Sequence, residues 1–381
     1  MQKCLLFLIV PVLFLNSCST GLKSLQRGDY HDAILKAANR LSTDPNNKKA
    51  MQVIHDGYPM AIAYYQEEID KKLSGSDPFR WSQTLEIMQT VNQISDQIRK
   101  IPAARNLVSS PKTYTSELID VQNKAAQEYY DAGMDVLSHK TRETAKQAYV
   151  YFQNADGLLR GYKDTQQKMQ IAKDLATLKV VVEQIPVNGK YEYSARFFYD
   201  NVFQMLNQKF QEKDFVHFFS PEQADKEKLK NPDMVLRMGF YDFFIGQTQH
   251  LEESKDLARQ IEEKYKVKSS KDSTATRTVT KSGKIKIYTD QLESGGLLEM
   301  KAVEFQSQKI LFTDKIPGKF TWQNKYGIFV GDNEVLDKEQ VSILSNKMII
   351  PPESQDMFVL FTKPIFNQLT DKLTNYFKQY N

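Results

Sequence analysis

Cysteine is almost absent: Cys4 and Cys18 are the only two. Cys4 lies inside an amino-terminal apolar run that reads as a removable targeting segment. The mature chain is then left with one thiol and cannot form an internal disulfide. The five histidines, His31, His55, His139, His217 and His250, are scattered without metal-ligand spacing, and no cysteine stands near to join them. His250-Leu251-Glu252-Glu253-Ser254 lacks the second histidine a zinc-binding helix would need, so it reads as a charged helix surface. There is no glycine-rich phosphate loop and no serine flanked by glycines at the nucleophile-elbow spacing. The adjacent acids Glu252-Glu253 and Glu262-Glu263 would point about 100° apart on a helix, which suits a solvated face better than a pair of facing catalytic carboxylates. Neither a catalytic constellation nor a cofactor site is expected. A net charge of +4 with 26% charged residues gives no argument for nucleic acid, and no apolar run reaches the roughly 20 residues that cross a bilayer.

The amino terminus carries the sharpest signal. Lys3 precedes Cys4 to Leu15, an apolar run interrupted only by Pro11 and too short to span a membrane, so residues 1–17 read as a signal peptide. Leu15-Asn16-Ser17-Cys18 resembles the lipobox of bacterial lipoproteins. The resemblance implies cleavage before Cys18, which would carry a diacylglyceryl thioether and a palmitate-type N-acyl chain. One acyl chain holds a membrane only marginally, whereas three hold firmly. Ser19 resembles the usual sorting residue for the outer membrane, and Ser19-Thr20-Gly21-Leu22-Lys23 carries no acidic cluster, so the body is expected to face the periplasm. An ordinary signal peptide leaving Cys18 free, or an uncleaved anchor, is the competing reading.

The remainder of the chain reads as two domains, residues 18–177 and 178–381, in an α+β protein whose first part is all helical. In the first domain apolar residues recur at three and four, with breaks at proline or glycine. Gly28-Asp29-Tyr30, Ala33-Ile34, Ala37, Leu41 and Asp44-Pro45 resemble the second half of a tetratricopeptide repeat. There small alanines let a paired helix approach and Pro45 closes the unit. Gly21 falls at the repeat's glycine position without the large aromatic expected before it. Helices are expected from Pro59 to Leu73 and from Trp81 to Ile98. A looser match between Gln122 and Ala172 places Ala125, Ala126, Tyr129, Tyr130 and Met134 on one stripe and Ala145, Ala148, Tyr149, Phe152 and Ala155 on another. A generic helical bundle fits the same residues.

From Leu178 the pattern changes. Leu178 to Val182 and Phe215 to Phe219 read as strands, and Met234 to Ile245 as a central strand buried on both faces. An amphipathic helix is expected through Phe198, Val202, Met205, Leu206 and Phe210, a helix over Pro221 to Lys230, and a last helix after Pro364 with Ile365, Leu369, Leu373 and Phe377 at spacing four. Two strands, Lys284 to Thr289 and Leu297 to Phe305, are expected to be joined by a turn over Asp290 to Gly296, with further turns at Pro317, Gly318 and Gly331. Asp233 at the start of the central strand, Asp290 and Gly295 in the turn, and the lipobox cysteine resemble the periplasmic α+β domain shared by curli-export lipoproteins and the amino-terminal part of the Tol-system propeller protein. The likeness covers Leu178 to Phe312. A pore-forming member would carry amphipathic membrane strands between Gln247 and Gly283. Here that stretch reads as a charged helix followed by a serine- and threonine-rich loop.

Two aromatic clusters, Phe197-Phe198-Tyr199 with Phe203 and Phe240-Tyr241-Asp242-Phe243-Phe244, exceed what one core face needs and read either as core or as an exposed partner patch. Trp322 to Gly327 and Val330 to Glu334 read as a polar, turn-rich segment, either a ligand or partner loop or a link from the last strand to a short helix. These features imply a non-catalytic scaffold or assembly factor, held at the outer membrane through lipidated Cys18 and binding envelope proteins. An export-channel subunit and a cell-wall carbohydrate hydrolase are the alternatives.

Overall fold

The computed structural model describes residues 20–187, 189–211, 214–266 and 274–381. Cys18 and residues 1–17 lie outside the described residues. The chain divides into two compact units, with the boundary between Ala176 and Thr177.

The first unit holds helices α1 (Leu22–Gln26), α2 (Tyr30–Thr43), α3 (Lys48–Ser74), α4 (Arg80–Lys100), α5 (Pro102–Arg105), α6 (Ser116–Ser138), α7 (Arg142–Leu158) and α8 (Thr165–Ala176). Their starts follow local chemistry: Asp29 caps α2, Asn47 caps α3, and Thr141 with Thr144 forms a capping box on α7. Gly21 has φ 77°, and a Cβ there would collide with the Ala33 carbonyl, so only glycine lets the chain cross α2 this closely. Ala33, Ala37 and Leu41 are buried with Val53, Ile54, Ile94 and Ile98 in one cluster. A second cluster gathers Ile69, Leu85, Met88, Val91 and Val121, and a third gathers Ala148, Phe152 and Ala172. Apolar burial therefore passes from one local group of helices to the next. Helix α3 begins at Lys48 rather than at Pro59. Pro59 removes one backbone bond, but Val53, Ile54, Gly57, Tyr58 and Ala61 keep the buried face continuous across it.

The second unit holds strands β1 (Leu178–Val182), β2 (Val216–Phe219), β3 (Met234–Ile245), β4 (Gln249–Lys266), β5 (Thr274–Glu304) and β6 (Ile310–Gly331), with helices α9 (Glu192–Lys209), α10 (Pro221–Lys226), α11 (Lys338–Ser345) and α12 (Ser354–Lys378). The sheet runs β2-β1-β3-β5-β4, and β6 also pairs with β5. Strand β1 is parallel to β2 and β3, whereas β3, β4 and β6 are all antiparallel to β5. This mixture makes the chain α+β. Helices α9 and α12 cover the sheet, and Phe198, Val202, Leu206, Leu236, Leu298, Phe361, Ile365 and Leu369 meet in its core.

Strands β3 and β4 follow one another along the same side of β5. Residues Ser294 to Glu304 pair with β3, and Thr274 to Gln291 pair with β4. At about 3.3 Å per residue, the 31 residues of β5 span roughly 100 Å. The register of β6 against β5 ends at Gly331 opposite Gly283. Beyond that point β4 and β5 continue as a two-stranded ribbon to Lys266 opposite Thr274.

The structure corrects four expectations. The stretch read as a charged helix is strand β4, because its charges find partners across the ribbon rather than along a helix: Lys286 to Glu252 at 2.8 Å, Arg277 to Glu263 at 3.1 Å and Lys281 to Glu263 at 2.9 Å. The expected turn at Asp290 to Gly296 lies within β5, and Pro317, Gly318 and Trp322 to Gly327 lie within β6. Gly296 and Gly318 serve close approach, not turning. A Cβ at Gly296 would sit 2.6 Å from Phe243 and 3.0 Å from Phe361, and one at Gly318 would strike the Phe361 carbonyl of α12. Finally, β3 buries one face through Met234, Leu236 and Met238 but the other only at Val235, while Arg237, Tyr241 and Phe244 are exposed.

Candidate functional site

The candidate site is a groove of about 600 Å³ between α9 and α12. Helix α9 turns Phe198, Val202, Met205 and Leu206 inward, and α12 turns in Phe358, Phe361, Ile365 and Leu369. The edge of that inward face and the next stripe on each helix line the gap. Phe197, Phe198, Met205, Val359 and Phe366 supply apolar surface, and Asn201, Gln204, Gln208, Asn367 and Lys363 supply the polar rim. Phe198 sets the base, edge-on to Phe366 at 6.2 Å and to Phe240 at 5.7 Å.

Local chemistry of α12 shapes one wall. Pro364 sits inside the helix and has no N–H, so the Leu360 carbonyl loses its helical donor. Thr362 Oγ1 donates back to the Phe358 and Val359 carbonyls, at 3.0 Å each. Gln368 Nε2 donates to the Pro364 carbonyl at 3.2 Å and to that of Pro317 at 3.4 Å, which ties the helix to β6. The four rim amides make no side-chain hydrogen bond to any described residue, and Lys363 makes no ion pair with one. Among the described residues no carboxylate lines the groove.

The aromatic clusters are divided by their elements. Phe198 and Tyr199 are buried while Phe197 is 56% exposed at the groove. Tyr199 donates to the Val182 carbonyl at 3.1 Å, and burial pushes its hydroxyl up to about 12. In β3, Phe240 and Phe243 pack on Phe358 at 5.1 and 5.3 Å, whereas Tyr241 and Phe244 point away. Each run is therefore divided between core residues and exposed ones.

The histidines stay apart. His31 meets Gln93, His55 meets Asp56, and His250 Nδ1 lies 2.7 Å from Asp290 Oδ1. Among the described residues no group of three or more His, Cys, Asp or Glu side chains could hold a metal ion. Glu252 and Glu253 fall on opposite faces of β4, paired with Lys286 and Lys255 respectively. Asp290, expected in an exposed turn, is 2% exposed in the middle of β5, and its Oδ2 has no partner among the described residues.

No protein-family model matches the chain, and no curated protein matches it. Among solved structures it is similar to a neuraminyllactose-binding hemagglutinin homologue from Helicobacter pylori, with 16% identity and a TM-score of 0.25 over 54% of this chain and 90% of that one. A likeness of that degree bears on neither fold nor function.

Proposed function

We propose that the protein is an outer-membrane lipoprotein facing the periplasm, anchored through acylated Cys18, that serves as a non-catalytic scaffold or assembly factor for envelope proteins. The observation that carries this reading is Cys18 itself, a lone thiol closing a short apolar run ahead of a polar two-unit body. Among the described residues no helix is long and apolar enough to cross a membrane. The helical unit offers an extended surface, and the groove of the second unit offers a docking place. Three acyl chains hold a protein firmly, so Cys18→Ser is expected to move the chain from the membrane to the soluble periplasmic fraction. Labelling with an alkyne fatty acid and fractionating both forms tests this. An unacylated mature terminus, or unchanged membrane association of the serine form, would sink the proposal.

The long ribbon favours a second reading, an export-channel subunit whose hairpins assemble into a ring. Its faces argue against insertion into lipid. One face alternates Leu257, Ile261 and Tyr265 with Arg259 and Glu263, opposite Lys281, Val279 and Arg277, and the other carries Gln260, Glu262 and Lys264 opposite Thr280, Thr278 and Thr276. A lysine or arginine facing lipid near the bilayer midplane costs about 2–4 kcal/mol, and neither face is free of charge. Electron microscopy of the detergent-purified chain separates the readings: rings favour the channel, single particles the scaffold.

A further inference from the structure

We infer that the groove between α9 and α12 takes an extended peptide of a partner protein, apolar in its side chains and bearing a carboxylate beside Lys363. This names the partner chemistry of the docking place in the scaffold reading, and it can be tested without the lipid anchor.

The floor sets the first requirement. Phe197, Phe198, Met205, Val359 and Phe366 line the gap, and apolar surface of this kind favours an occupant that removes it from water. The rim sets the second. Asn201, Gln204 and Gln208 lie along one wall and Asn367 along the other, each able to donate and to accept. An occupant that displaces water from these amides must return the hydrogen bonds. A helical peptide keeps its backbone bonds internal and an acyl chain has none, so neither offers the rim main-chain partners. An extended peptide repeats outward N–H and C=O groups about every 6.6 Å, close to the ~6 Å rise between Gln204 and Gln208. From Phe197 to Gln208 the wall rises roughly 16 Å, enough for about five residues of extended chain.

Charge sets the third requirement. Among the described residues Lys363 is the only charged side chain in the lining; it is exposed, and no described carboxylate pairs with it. Its ammonium suits an acidic side chain or a chain terminus, and a charge-assisted contact of this type is about twice as strong as a neutral one.

The test is fluorescence anisotropy with the full chain in lipid nanodiscs. The probe is a fluorescein-labelled octapeptide alternating leucine and threonine and ending in phenylalanine, prepared as the free acid and as the carboxamide. The free acid is expected to bind about tenfold more tightly than the amide, a difference of about 1.4 kcal/mol. Lys363→Gln should bring the acid down to the amide's affinity and leave the amide unchanged, and Phe197→Ser should weaken both. Both side chains are exposed, so unchanged circular dichroism is expected of each variant. Equal binding of acid and amide, insensitivity to Lys363→Gln, or no binding of either peptide overturns the inference. So does Phe197-dependent binding of an amphipathic helical peptide or a chitooligosaccharide in place of the octapeptide. Repeating the titration with the Cys18→Ser chain in solution distinguishes a failed groove from a failed anchor.

Discussion

At the scale of single residues, Glu128 shows how a half-buried charge can be kept for geometry. Its carboxylate accepts from the Trp81 backbone N–H at 3.0 Å, at the start of α4. Burial raises its pKa above the ordinary 4.5, outweighing the downward pull of the Trp81 and Ser82 N–H groups and of Arg80. A carboxyl raised in the folded state favours folding only at low pH, and that contribution is lost as pH rises through the folded pKa. Glu128→Gln keeps an acceptor for Trp81 and removes the half-buried charge. It is expected to raise the urea midpoint of the first unit at pH 7 and leave it unchanged near pH 4. The chain has one tryptophan in each unit, Trp81 and Trp322, so a Trp322→Phe background lets Trp81 fluorescence report this unit alone. A midpoint lowered at pH 7 would mean that the charge stabilises the helix start more than its burial costs. Glu128 carries no sequence signal of this role, because its partner lies 47 positions away.

At the scale of elements, glycine means different things in α6 and in β6. Replacing a helical glycine with alanine ordinarily gains about 0.5–1 kcal/mol. A Cβ at Gly133, however, would sit 2.7 Å from the ring of Phe152, which is fully buried. Gly133→Ala is therefore expected to lose about 1–3 kcal/mol in urea unfolding through overpacking. The alanine and aromatic stripes that suggested packed helices were legible because their spacing repeats. The ribbon was not. Charged residues in β4 alternate with too few apolar ones to mark a period, and its bonding partners come from β5. Hydrogen exchange should divide the long strand. Residues Ser294 to Glu304, paired on both edges over most of their length and packed under α12, should exchange far more slowly than Thr274 to Lys281, which pair on one edge only. Uniform protection along β5 would show that something further covers the ribbon.

At the scale of the whole molecule, the pH response of the second unit has a surface component. The Lys372 ammonium hydrogen-bonds Asp314 and holds its carboxyl below the ordinary 3.8, tying α12 to β6. A depressed carboxyl contributes stability above its unfolded pKa, and that contribution disappears as pH falls through the folded value. The pair is partly exposed, which discounts its worth to a few tenths of a kcal/mol, at most about 1. Asp314→Asn should thus lower the unfolding midpoint slightly at pH 7, measured through Trp322 fluorescence with Trp81 replaced by phenylalanine, and make no difference near pH 2. A difference that persists there would assign the effect to packing rather than charge.

Local pattern was enough to determine the α+β order, the change of character at Leu178, the aromatic face of α9 and the spacing-four face of α12. Each depends on neighbours within a few turns or one strand, which are read directly from residue order. Tertiary structure alone decided that residues 249–266 are a strand, that Gly296 and Gly318 accommodate a helix, and that Phe197 opens onto a groove while Phe198 closes its floor. Those outcomes depend on partners remote in the chain: β5 for β4, α12 for the sheet glycines, and residues 359–367 for residues 197–208. A hydrogen bond or a collision between such partners has no local period, so it exists only once the chain has folded.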